Sequence, residues 1–253
     1  MNLNFKEFGQ GDPIIILHGL FGTLDNWQTI AKKLAADHSV YIVDQRNHGR
    51  SPHEDGHDYP CMAEDLRHFM ENNWIYHAHI IGHSMGGKTA MQFALEHPDM
   101  VDRLVVVDIS PKAYPGSHHH IYDALLSLDL KHLEGRQQAD EHLAKTIDDP
   151  GVRLFLMKNL TRDKKGGYRF KMNLPVLHRH YPDILAGIES DHSFDGPTLF
   201  IRGGQSKHMQ DDDDILINEL FPEAVIATIK DAGHWVHADR PDELLALIKN
   251  FIP

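Results

Sequence analysis

The pentapeptide Gly82-His83-Ser84-Met85-Gly86 restricts the folds open to this chain more than any other stretch. It has the form G-x-S-x-G, follows the apolar pair Ile80-Ile81, and opens a helix-like stretch over 87–95. A strand, a sharp turn and a helix in that order hold a serine in a cramped backbone conformation, so small residues must flank it. The helix begins directly beneath the hydroxyl. Its free N–H groups and positive dipole end point toward negative charge developing on a substrate. Ser84 is therefore expected to be a nucleophile, with the N–H of Met85 as one oxyanion donor.

A serine hydroxyl needs a base to take its proton and an acid to orient that base. After such an elbow the partners follow in the order acid, then histidine. His234 is the expected base, because it lies in Asp231-Ala232-Gly233-His234-Trp235, between a strand over 225–229 and a last helix opened by Pro241. His237 is the competitor, further into the segment that approaches the helix. The usual place for the acid is the loop after the strand over 198–202, but Gly203-Gly204-Gln205-Ser206-Lys207 has no carboxylate. Asp211 to Asp214 resemble a solvated helix N-terminus. Asp108 instead ends the apolar run over 104–107, where a buried carboxylate needs a partner and an imidazole N–H would serve. Asp108 is the expected acid, with one of Asp211 to Asp214 as the alternative.

The rest of the chain alternates strands and helices, a pattern that implies a mostly parallel sheet covered on both faces. A strand over 13–17 ends in His18-Gly19-Leu20-Phe21-Gly22, which places the Leu20 N–H as a second oxyanion donor. Phe21, His83 and Trp235 adjoin these groups and are the expected substrate-binding residues. A helix over 25–36, capped by Thr23 or Asp25, turns Trp27, Ile30, Ala31 and Leu34 to one face. A strand over 40–43 runs into Asp44-Gln45-Arg46-Asn47-His48-Gly49-Arg50-Ser51. Pairing of Asp44 with Arg46 is the plain reading of that loop, and a catalytic His48 is the other. A helix over 62–72 and a strand over 77–81 lead to the elbow.

The alternation then lapses. Helical spacing recurs over 121–128, 136–147, 151–160 and 174–181. Arg162, Lys164, Lys165, Arg169 and Lys171 cluster around Gly166-Gly167, which reads as a solvated hairpin tip; contact with the phosphates of a CoA-like substrate is the rival reading. The expected organisation is a hydrolase core over 1–111, a helical lid over 112–191, and the rest of the core over 192–253.

A net charge of −12 argues against nucleic-acid or anionic-membrane partners. A single cysteine, Cys61, forbids an intrachain disulfide and points to a reducing, cytoplasmic setting. No apolar run approaches the ~20 residues of a membrane span, and residues 1–11 lack a signal-peptide core, so stable membrane anchoring is not expected. His118-His119-His120, and His178 with His180, lack companion ligands, so no metal or organic cofactor is expected.

Five motifs together resemble the α/β-hydrolase superfamily, and more closely its YbfF-type esterase branch. They are His18-Gly19-Leu20-Phe21-Gly22, the loop from Asp44 to Ser51, Gly82-His83-Ser84-Met85-Gly86-Gly87, Val107-Asp108-Ile109-Ser110-Pro111 and Gly233-His234-Trp235-Val236-His237. The resemblance covers essentially the whole chain. Ser206 stands where the superfamily's commoner pattern has an aspartate, a departure that this branch shares. Its acid follows the strand after the elbow, which matches Asp108. The resemblance implies an α/β-hydrolase fold and hydrolysis of small acyl esters or acyl-CoA thioesters through an acyl-enzyme (EC 3.1 type). A hydrolase-like small-molecule binding protein with a degenerate site is the alternative. Dehalogenase and epoxide-hydrolase relatives carry an aspartate at the nucleophile position, so Ser84 argues against both.

Overall fold

The structure is a computed structural model describing all 253 residues. Strands β1 (Phe5–Phe8) and β2 (Pro13–Leu17) precede helix α1 (Gln28–Leu34). Strand β3 (Ser39–Val43) leads through a long loop to α2 (Tyr59–Asn72). The elbow joins β4 (Ala78–His83) to α3 (Met85–Glu96), and β5 (Val101–Val107) follows. The inserted segment carries α4 (His119–Leu126), α5 (Arg136–Leu143), α6 (Pro150–Met157), a hairpin of β6 (Leu160–Arg162) and β7 (Tyr168–Phe170), α7 (Leu174–Arg179) and α8 (Tyr181–Leu185). Then come β8 (Thr198–Gly203), α9 (Asp214–Leu220), β9 (Ala224–Ile229), α10 (Val236–Asp239) and α11 (Pro241–Phe251).

Seven strands form one sheet in the order β1-β3-β2-β4-β5-β8-β9. Every pairing is parallel except that of β1 with β3. The sheet is thus mostly parallel, as the alternation implied. The core strands read as continuous apolar runs because helices cover both faces. Successive side chains still part company. Ile14 and Ile16 join Trp27, Ile30, Leu34, Leu244 and Ile248 on the face of α1 and α11. Ile15, Leu17 and Ile80 face α2 and α3, with Leu66, Phe69, Met91 and Phe93. Each such aliphatic side chain, fully buried, contributes about 2 kcal/mol.

The strand order reverses between β2 and β4, since β3 lies on one side of β2 and β4 on the other. In open α/β sheets the crevice at the carboxyl ends of the strands at such a reversal is where ligands bind. Here the loop after β2 and the elbow after β4 both end in that crevice.

Several boundaries depart from the periodicity. Strand β1 carries no apolar alternation that could mark it: three of its four residues are exposed on a sheet edge. Helix α2 starts at Tyr59 rather than 62, because Asp58 accepts the Cys61 N–H at 2.8 Å and Pro60 sits in the first turn. The expected helix over 174–181 breaks at His180 into α7 and α8, each with a proline in its first turn. The basic stretch does form a hairpin, with Gly166 and Gly167 at φ of +100° and +70°.

The two ends of the inserted segment are tied together at their base. Tyr114 N–H donates to Leu185 O at 2.8 Å, and Ile188 N–H to Pro111 O at 2.7 Å. From α3, the buried Lys88 amine donates to Lys112 O at 2.7 Å and to Ala186 O. Burial pulls that amine down to about 7.

The expected pairing of Asp44 with Arg46 does not form. Arg46 reaches α2 instead and makes a two-pronged bond with Asp65, at 2.5 and 3.0 Å. Asp44 accepts the Leu24 and Arg50 N–H groups and the Asn4 amide. Both partners of the Arg46–Asp65 pair are buried, so removing one strands the other. Asp65→Ala should therefore lower stability by about 3 kcal/mol in chemical denaturation.

Candidate active site

The elbow can form only because two of its residues lack side chains. A Cβ on Gly82 would lie 2.2 Å from Gly86 O, and one on Gly86 would lie 2.4 Å from Leu17 O. Strand β2, strand β4 and helix α3 therefore approach one another at backbone distance. Ser84 takes the strain, with φ +54° and ψ −120°, outside the regions that serine ordinarily occupies. Its own N–H is held by Val107 O at 3.1 Å.

Three distant side chains meet at this turn. His234 Nε2 lies 3.1 Å from Ser84 Oγ, and its Nδ1 lies 2.7 Å from Asp108 Oδ2. Asp108 also sits in a left-handed conformation, φ +50°, and is fully buried. Its other oxygen accepts the Gly203 N–H at 2.8 Å, and Oδ2 also accepts the Ser206 hydroxyl. Burial pushes the Asp108 carboxyl up, and the Ser206 and Gly203 donors pull it back toward the ionised form. Donor counting then leaves His234 with a proton on Nδ1 and a lone pair on Nε2, facing the serine.

Burial, with His118 and His237 as further contributors, lowers His234 to about 3. A base with a lowered pKa stays unprotonated to lower pH. The Asp108 carboxyl bonded to His234 is raised to about 6, so the first proton taken up by the pair disables the relay, and the acid limb of kcat/KM on an ester should have its midpoint at about 6. A pH–rate profile on a neutral ester checks this.

The alternatives for base and acid separate in space. His237 makes no bond to Ser84; its ring stacks on Trp27 at 4.8 Å. Asp211 is 94% exposed at its side chain and pairs with Arg202. One neighbour departs from the expected solvated run: Asp213 is buried and bonds Lys112 at 2.8 Å.

The N–H of Met85 opens α3 and has no intrahelical acceptor. The Leu20 N–H, in the turn after β2, has none within the protein. A Cβ on Gly19 would lie 3.2 Å from Ser84 Cβ, which measures how closely the two turns approach. The next residue, Phe21, has φ +60°, and its N–H is held by His48 Nε2 at 3.2 Å. His48 donates from Nδ1 to Arg46 O and is fully buried, and burial holds its pKa well below the usual histidine value. His48 thus braces the turn that carries Leu20, a role its sequence position did not reveal. His18 does the same from below, accepting the Gln45 N–H at 3.1 Å.

Two cavities open on Ser84. One, about 340 Å³, is bordered by Leu20, Phe21, His83, His234 and Trp235. The other, about 550 Å³, is bordered by Met85, Lys88, Tyr114, Tyr181 and His208. All three expected substrate-binding residues line the first. Phe21 is almost wholly buried, and Trp235 packs on Phe155 of α6 at 5.7 Å. His83 commits Nε2 to His234 O at 2.8 Å and so also supports the loop that carries His234.

Two further residues escaped the sequence reading. Ser206 bonds Asp108, and the His208 ring stacks on His234 with centroids 3.7 Å apart and planes 19° apart. The only available signal for Ser206 was that it fills the position of an absent aspartate; His208 had none. Ligand atoms of Asp108, His208 and His234 come within 4.8 Å of one another. They do not suit a metal ion, because stacked rings direct their in-plane lone pairs along parallel planes rather than to one point.

The family model described as alpha/beta hydrolase fold matches residues 12–241. The chain is 40% identical over 263 residues to the sn-1-specific diacylglycerol lipase ABHD11 of Danio rerio, covering 100% of this chain and 83% of that protein. It is 40% identical over 243 residues to esterase YbfF of Escherichia coli K12, covering 95% of this chain and 92% of the esterase. The solved structure of a marine microorganism esterase matches with a TM-score of 0.97 at 42% identity, covering 99% of each chain. The chain belongs to the alpha/beta hydrolase family.

Proposed function

We propose that this protein is a serine carboxylic-ester hydrolase acting on small acyl esters through a covalent acyl-enzyme. The observation that carries the reading is the unbroken relay Ser84–His234–Asp108 at 3.1 and 2.7 Å, open to two cavities. The relatives named as esterases and lipases support the same reaction class.

Ser84 Oγ attacks the ester carbonyl carbon while its proton passes to His234 Nε2. Asp108 keeps the imidazole in the Nδ1–H form and steadies the imidazolium. The N–H groups of Leu20 and Met85 receive the oxyanion. His234 then gives the proton to the departing alcohol oxygen, or to sulfur in a thioester. Water, activated by the same imidazole, releases the acid and restores the serine. The inserted segment over 112–191 acts as a lid, since α4 and α6 supply Ile121 and Phe155 to one cavity wall and α8 supplies Ile184 to the other. The single cysteine suits work in the cytoplasm.

Acyl-CoA thioesters are the second substrate class. Arg162, Lys164, Lys165 and Arg169 are exposed on the hairpin, which favours a solvated tip over a phosphate clamp. A graded panel of p-nitrophenyl esters and acyl-CoAs, run at low and high salt, tests both points. Turnover of short-chain esters is expected, with matching salt responses for acyl-CoA and a neutral thioester. No turnover on any member of the panel would remove the hydrolase reading.

A further inference from the structure

The loop after β8 brings a second imidazole against the relay, and its placement is specific. His208 lies on His234 at 3.7 Å with the planes nearly parallel. Its backbone is fixed at both ends: the N–H donates to Ser206 Oγ at 3.1 Å, and the carbonyl accepts the Tyr114 hydroxyl. Its ring Nδ1 lies 3.2 Å from Ser206 Oγ and 3.9 Å from Asp108 Oδ2.

Counting protons fixes the direction of every bond in this group. The Ser206 hydroxyl has one proton and two takers within reach, Asp108 Oδ2 and His208 Nδ1. A buried carboxylate is the stronger acceptor, so the proton goes to Asp108. Ser206 Oγ is then an acceptor, and His208 must carry its proton on Nδ1 to bond it. In that form His208 cannot draw the serine proton away. Burial and the neighbouring His234 hold His208 at about 4, so it remains neutral beside the ring that becomes charged during the reaction. A neutral π-face stabilises an adjacent imidazolium, whereas a second cation would oppose it.

We propose that His208 is a positioning residue: its ring backs the face of His234, and its Nδ1–H holds in place the Ser206 hydroxyl that donates to Asp108 Oδ2. The role rests on the hydrolase reading above. His208 touches neither the nucleophile nor the reacting carbonyl. It limits tilt of the catalytic imidazole about its Cβ–Cγ bond, the rotation that swings Nε2 out of line with Ser84 Oγ. A tilt carries Nε2 off the serine, and misplacement on the scale of 1 Å costs a reaction of this kind about a hundredfold.

Three variants separate the two contributions. His208→Ala removes both, His208→Phe keeps a stacking face without the donor, and His208→Asn keeps a donor without the stack. Each is measured by kcat and KM on a p-nitrophenyl ester, by the rate of Ser84 labelling with a fluorophosphonate, and by the downfield proton NMR signal of His234 Nδ1–H. His208→Ala should lower kcat and the labelling rate about thirtyfold with KM little changed, and move or broaden the signal. His208→Phe and His208→Asn should each restore part of the rate. If His208→Ala fails to fold, the other two carry the same readouts. Wild-type rates and an unmoved signal in the folded variants would overturn the inference. A wild-type protein that neither labels nor turns over esters would instead sink the hydrolase reading, and the NMR signal would still report whether His208 positions His234.

Discussion

Ser84→Ala is expected to lower kcat for ester hydrolysis by about a millionfold, or ~8 kcal/mol of transition-state stabilisation, leaving only what the oxyanion donors and binding supply. Such a loss follows because no other hydroxyl takes the serine's place. Ser84 Oγ is the group that His234 Nε2 faces, and it stands at the start of α3, where the Met85 N–H has no intrahelical acceptor. The fold should be indifferent to the change. The hydroxyl bonds nothing except His234, and alanine bears the same left-handed strain as serine at φ +54°. The melting temperature should thus stay near that of the wild type while activity disappears. Initial rates on a short-chain p-nitrophenyl ester, paired with a thermal melt, check both halves. Retained activity with loss of fluorophosphonate labelling at residue 84 would transfer the nucleophile elsewhere.

Much of this arrangement was legible in the chain because its causes are local. The elbow announces itself through Gly82 and Gly86, whose missing side chains are a steric requirement of three backbones meeting. Strands β2, β4 and β5 read as apolar runs because both faces are covered. Asp108 could be inferred because a carboxylate ending such a run has to find a partner, and because the loop over 203–207 offers none. What remained hidden depends on contacts between residues far apart in sequence. His48 and His18 brace the turn after β2 through bonds to Phe21 and Gln45, and nothing in their neighbours marks them as braces rather than catalysts. The pairing of Arg46 with Asp65 spans a loop and a helix, so adjacency in sequence wrongly favoured Asp44. Strand β1 was missed for another reason. An edge strand with one partner and three exposed residues has no buried face to write into its sequence.

Asp108→Asn should reduce kcat by about 10⁴, while Asp211→Asn should leave it within about twofold. The substitution at 108 preserves shape and removes the charge that fixes the tautomer. Asparagine can keep its oxygen on the Gly203 N–H, since the opposite orientation would set two donors against each other. Its amide nitrogen then occupies the place of Oδ2 and donates toward His234 Nδ1. That ring nitrogen must turn acceptor, the proton moves to Nε2, and the base faces Ser84 with no lone pair to offer. Ser206 loses its acceptor in the same step. Stability should change little, because a neutral amide is easier to bury than a carboxylate, keeps the Gly203 bond and re-forms the His234 bond in the opposite direction. Asp211 lies at the protein surface, and its pair with Arg202 is exposed to water and salt. Steady-state kinetics on the two variants decide between them. A damaging Asp211→Asn beside a mild Asp108→Asn would reassign the acid to the helix start after β8 and leave the relay through Ser206 without a catalytic purpose.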